Sequence, residues 1–305
     1  MTATAAARWA ARLTLLCCLA CRSPSPPPIA HAEMARDQLF FVAQTPEPVL
    51  LALIVQRTRT PTEPGATLEV KAFLVARDRL QSLFWERVQL DAWPGDDLQD
   101  ALAAWQKTRT SPGIRLKFAV EPRSVSLNVR QPSGGFALDA TDLQPLGTVP
   151  DPHGEVTARA GVGTLEVNGK KWRGPVLAER LAPGSQAWPQ FGQFEMWLAA
   201  PTDGALWLGR FDLQRQTGRA AVVAEGQAAR IAPFQVTINH TRDDAESGFA
   251  LPDAWTVGLP TPVSLTHAVG QLGRGTAPKG GAAVYDIGVA SGSGATALVF
   301  HLQDQ

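Results

Sequence analysis

Val156 to Ala178 reads VTARAGVGTLEVNGKKWRGPVLA. Apolar and polar residues alternate over 156–167 and again over 171–178, on either side of Asn168-Gly169. Period-2 alternation around an Asn-Gly pair predicts two antiparallel strands joined by a tight turn, because both central residues of that turn need positive φ. The same pattern extends outward in both directions. Towards the N-terminus, strands are expected at 39–44 and 49–57, joined through Thr45-Pro46-Glu47-Pro48, then at 67–76, 82–91, 114–120 and 125–129. Towards the C-terminus, Phe194–Ala199 and Ala205–Leu213 flank Asp203-Gly204, a second turn of the same kind. Further strands fit 219–224, 228–238, 254–258, 262–270, 282–289 and 295–302. One short helix is predicted where Asp97 supplies an N-cap and Leu98, Leu102 and Trp105 share a face.

About sixteen short strands with turns every 8–12 residues define an all-β chain of sandwiches or barrels. The segment 182–190 (APGSQAWPQ) reads as a linker and divides the chain into halves, 33–182 and 190–305. Each half opens on a similar strand pair: Gln38–Ala43 with Val49–Leu53, and Gln193–Leu198 with Ala205–Leu208. The expectation is two tandem eight-stranded barrels, a size that encloses one small ligand or fills with side chains.

Residues 1–32 read as a secretory leader. Arg8 and Arg12 precede an apolar run, Leu13–Cys21, a Pro-rich break follows, and Ala30-His31-Ala32 offers a cleavage site. Leu19-Ala20-Cys21 resembles a bacterial lipobox, the alternative processing point, at which Cys21 would carry a lipid. Either route predicts an exported protein of a bacterial periplasm or cell envelope, touching membrane only through that anchor. Asn239-His240-Thr241 is a glycosylation sequon by pattern alone, expected to go unused behind such a leader. All three cysteines, Cys17, Cys18 and Cys21, lie in the leader, so no disulfide and no thiolate chemistry is expected in the exported body. The precursor has 28 basic and 28 acidic residues; loss of Arg8, Arg12 and Arg22 leaves a net charge of −3. That balance argues against nucleic acid as a partner. His153, His240, His267 and His301 lack metal-ligand spacing, no G-x-S-x-G elbow occurs, and Gly-rich 273–281 lacks a G-K-[ST] ending. No metal and no cofactor are expected.

Several spaced patterns together carry a resemblance. They are Phe84-Trp85-Glu86-Arg87, Gly163–Gly169 (GTLEVNG), Trp197 with Asp203-Gly204, Leu251–Pro260 (LPDAWTVGLP), and Tyr285 ahead of Ser291–Gly294. In this order they resemble the family of carotenoid 1,2-hydratase (hydroxyneurosporene synthase) and the secreted AttH-like proteins, to which fungal cyclases of the Diels–Alder type are related. The resemblance implies two lipocalin-like barrels. That family's G-x-x-W-M-D-H-E motif falls on Gly174–Leu181 (GPVLAERL), where Glu179 replaces the Asp, Arg180 the His, and leucines the Trp and the final Glu.

The resemblance implies an acid that protonates an alkene, and Glu179 is the candidate for that role. Such an acid must be kept protonated by burial. Trp85, Trp197, Trp207 and Tyr285 are the candidate ligand-lining residues, with side-chain core as the plainer alternative for each. For Glu179 the plainer alternative is an ion pair with Arg180 or a solvated hairpin end; neighbouring strand residues face opposite ways, so Glu179 and Arg180 cannot share a cavity. Three functions follow for test: a lipocalin-like binder of an apolar, lipid- or isoprenoid-like molecule, which leads; a hydratase, cyclase or isomerase using Glu179; and a structural envelope lipoprotein with filled barrels.

Overall fold

The structure, a computed structural model, describes residues 33–45, 47–59, 64–77, 79–109, 113–132, 134–151, 154–186, 193–212, 217–224, 227–246, 248–276 and 282–304. The expected leader, with Cys21 and the Ala32 cleavage point, lies outside the described residues. The first sheet contains β1 (Glu33–Ala43), β2 (Val49–Arg59), β3 (Ala66–Ala76), β4 (Arg79–Leu90), β5 (Arg115–Glu121), β6 (Ser124–Gln131), β7 (Gly134–Asp151), β8 (Gly154–Val167) and β9 (Lys170–Gln186), with α1 (Leu98–Thr108) between β4 and β5. The second contains β10 (Gln193–Thr202), β11 (Ala205–Asp212), β12 (Thr217–Ala224), β13 (Arg230–Asp243), β14 (Ala250–Gly258), β15 (Val263–Thr276), β16 (Ala282–Gly292) and β17 (Ala295–Asp304).

The chain is an all-β protein of two lipocalin-like units. β10 to β17 pair in chain order, and β17 returns to β10 to close an eight-stranded antiparallel barrel. The first sheet has nine strands, ordered β4-β3-β2-β1-β9-β8-β7-β6-β5. It differs from the expected closed eight-stranded barrel: its ends, β4 and β5, do not pair, and α1 fills the gap. Asp97 caps the helix through the Asp100 amide at 2.8 Å. Leu98, Ala101, Leu102 and Trp105 enter the core of the sheet. Trp105 stacks on Phe84 of β4 with centroids 5.2 Å apart and donates its indole N–H to the buried Glu86 Oε2 at 2.6 Å. On the other side, Gln106 donates to the Leu116 carbonyl of β5 at 3.0 Å. A helix is needed here because strand edges present unpaired backbone groups that must be covered.

The turns form as their sequences require. Asn168 and Gly169 have φ of 51° and 80°, and Asp203 and Gly204 have 51° and 71°, the paired positive values of a type I′ hairpin. The expected linker is strand as far as Gln186, which sits opposite Glu33 at the start of β1; residues 187–192 are not among those described.

Both sheets belong to one compact unit, Ala32–Gln305. Each has its own interior, and a third apolar layer lies between them. Leu39, Phe41 and Ala43 of β1 face the first interior, while Phe40 and Val42 face the layer between the sheets. β10 answers in kind: Met196, Leu198 and Ala200 face the barrel, and Trp197 and Ala199 face the layer. Within the barrel, the Phe234 ring lies so close to Gly209 and Gly218 that a Cβ on either would collide with it.

Trp105→Phe keeps the ring packing and leaves the Glu86 carboxylate buried without its donor. It should lower unfolding stability by about 3 kcal/mol. In a Glu86→Leu background the same change should cost clearly less, as urea unfolding of the four proteins would show.

Candidate functional site

Alternation along β9 decides where Glu179 points. Val176 and Ala178 face the first interior, so Leu177 and Glu179 face the layer between the sheets. Glu179 lies opposite Gln38 on β1 and Ala158 on β8, and it is buried. Two neighbouring arginines of the barrel, Arg210 on β11 and Arg219 on β12, bring their Nε atoms within 3.9 and 3.5 Å of its carboxylate. The ion pairs therefore cross from one sheet to the other. Arg180 is on the opposite face, where its guanidinium donates to the Asp96 carbonyl. Two guanidiniums favour a carboxylate anion, the opposite of the state an alkene-protonating acid must hold.

The four aromatic candidates fall in separate places. Trp197 shares the intersheet layer with Glu179; it is fully buried, with its ring centroid 5.1 Å from that of Phe40. Trp85 stands at the outer edge of this layer, 39% exposed, donating to Glu69 Oε1 at 2.6 Å and meeting Phe73 edge-on at 6.2 Å. Trp207 is inside the barrel. Tyr285 occupies β16 opposite Gly273 and Leu302, and its side chain lies outside the described residues.

A concavity that includes Gln38 and Glu179 in its lining opens at the end of the first sheet beside the N-terminus of α1. It is a cleft of about 100 Å³. Leu39, Leu98, Val125, Leu143 and Ala178 supply apolar walls, and Asp37, Asp97, Glu121, Arg159, Glu179 and Arg180 supply charge. Asp37 is ion-paired to Arg57, a fully buried arginine that also donates to the Asp97 carbonyl at 2.8 Å. Burial pushes the Asp37 carboxyl above its ordinary value, and the pull of Arg57 and Arg180 in the other direction does not cancel it. Reading of the sequence missed this pair. The available signal was phase: Asp37 is in step with Leu39 and Phe41, and Arg57 with Leu53 and Val55, so both charges occupy core-facing positions.

No protein-family model matches the chain, and no curated protein matches its sequence. Solved structures do resemble it. An AttH-like protein of Nitrosomonas europaea is similar over 92% of this chain and 98% of its own, with 14% identity and a TM-score of 0.52. Kievitone hydratase of Nectria haematococca covers 92% of this chain and 91% of its own at 9% identity, with a TM-score of 0.45. The protein CghA covers 90% of this chain and 88% of its own at 9% identity, with a TM-score of 0.44. The likeness to the AttH-like protein shows a shared fold of two lipocalin-like units.

Arg57→Met would leave Asp37 buried without its cation. At neutral pH the expected loss is about 3–5 kcal/mol. The freed carboxyl would titrate still higher in the native state, so the native state would bind a proton that the unfolded chain, with an ordinary Asp, has released. Stability of the variant should therefore recover as pH falls through that raised value. A cost unchanged between neutral and about pH 4 in paired urea titrations would contradict this account.

Proposed function

We propose that the protein is an exported, lipocalin-like binding protein of the cell envelope that takes up an apolar, lipid-like molecule at the mouth of its first unit, and that Glu179 joins the two units instead of donating a proton. The observation that carries this reading is the cleft beside α1, where apolar walls meet converging charged groups of both signs. The AttH-like fold is compatible with it, and the buried ion pairs of Glu179 speak against the hydratase alternative.

The exported protein should retain a lipid in native mass spectrometry, and its intact mass should report processing at Cys21 or after Ala32. Uncharged N-phenyl-1-naphthylamine should fluoresce on binding. Leu39→Trp, which fills the mouth, should weaken that binding at least tenfold, a loss of about 1.4 kcal/mol. Arg219→Gln, outside the cleft, should leave it within about twofold while lowering thermal stability, since it breaks a buried ion pair. Unaltered probe binding in Leu39→Trp would remove the site from this cleft.

A further inference from the structure

Among the described residues, a buried polar cluster interrupts the apolar interior of the second barrel. Along β15, Val263, Leu265 and His267 point inward in alternation, and on β16 Asp286 does the same four residues before Ala290. The side chains of His267 and Asp286 are each 1% exposed. A single oxygen, Asp286 Oδ2, serves both neighbours: it accepts from Arg242 Nη2 at 2.7 Å and lies 3.0 Å from His267 Nε2. Asp286 Oδ1 and His267 Nδ1, like Arg242 Nε, have no hydrogen-bond partner among the described residues. Leaving buried polar atoms bare costs about 1–3 kcal/mol each, so such atoms are rarely left without an occupant.

We propose that this cluster is a second ligand site, where the barrel binds a hydroxyl-bearing apolar molecule. The carboxylate fixes the polarity of the ligand. Asp286 Oδ1 only accepts, so the ligand must bring a donor. Arg242 already balances the carboxylate charge, which favours a neutral hydroxyl over an ammonium. His267 suits the same group: as an imidazolium its Nδ1–H donates to the hydroxyl oxygen, and as a neutral ring its Nδ1 accepts from a second hydroxyl. The walls fix the rest of the ligand. The imidazole lies 5.9 Å from the Trp255 ring, centroid to centroid, and Leu265 follows on the same face of β15. The next inward positions on β16 after Asp286 are the small residues Gly288 and Ala290.

The experiment titrates 1-octanol and methyl octyl ether, which keeps the oxygen and chain but lacks the donor. Readouts are tryptophan fluorescence and the ¹⁵N shift of His267 Nδ1. Octanol should bind at least tenfold more tightly than the ether and should move the Nδ1 resonance. It should do so equally in Leu39→Trp, which closes only the first-unit mouth. Ala290→Leu, which narrows the lumen and leaves the three polar residues intact, should abolish binding without loss of folding. Equal affinity for alcohol and ether, retained binding in Ala290→Leu, loss in Leu39→Trp, or no response up to about millimolar octanol would each overturn the site. In the last case the two atoms are satisfied by a buried water.

Discussion

β1 is covered on both faces, and most of the architecture follows from that. Its inward residues close the first interior and its outward residues, Phe40 and Val42, must be buried by something else. β10 has the same problem on its own barrel. Packing these outer faces together removes apolar surface from water on both sides at once, at roughly 25 cal/mol for each Å² buried. Neither sheet alone could cover its outer stripe, so the two are one folding problem even though each has its own core. β1, β2 and β10, which meet here, carry continuous apolar runs (Leu39–Ala43, Val49–Val55 and Met196–Ala200). Beyond the layer, the stretch of β13 around Phe234 and Val236 alternates strictly between buried and exposed, the pattern of a half-solvated sheet.

This two-sided burial also explains how a carboxylate comes to lie in an apolar layer. Glu179 faces outward by parity, and an outward residue on β9 next to β1 meets the other unit instead of solvent. Isolated, such a charge would be costly, and it is tolerated because Arg210 and Arg219 arrive from the facing sheet. Buried ion pairs contribute little net stability, but they are selective about geometry: only one relative placement of the two sheets brings all three groups together. In this chain that carboxylate ties the first sheet to the barrel that faces it.

Much of the fold was legible because its signals are local. Asn168-Gly169 and Asp203-Gly204 name their own turns, strand alternation marks each hairpin, and Asp97 with Leu98, Leu102 and Trp105 marks the helix. What was not legible depends on strand partners far away in sequence. The open seam of the first sheet could not be read, because whether β4 meets β5 depends on what α1 fills. The partner of Glu179 could not be read either: Arg180 is adjacent in sequence, but Arg210 and Arg219 are adjacent in space. Trp85 and Trp197 look alike as residues, yet one sits at the edge of the intersheet layer and the other in its centre.

Charges in phase with a core face were the sequence signal with most information about sites. Asp37, Arg57, His267 and Asp286 each occupy a position where alternation calls for an apolar residue. A charge placed there by drift would be lost, since burial without a partner costs several kcal/mol. Its presence therefore implies a partner. For Asp37 and Arg57 the partners are each other and the helix N-terminus, which ties the helix to the sheet and shapes the cleft beside it. For Asp286 the protein supplies Arg242 and His267 to one oxygen and leaves the other uncovered. The first pair directs its contacts to the sheet and the helix, whereas the second leaves a carboxylate oxygen and a ring nitrogen unpaired among the described residues. That difference separates a polar group retained for structure from one that faces a ligand.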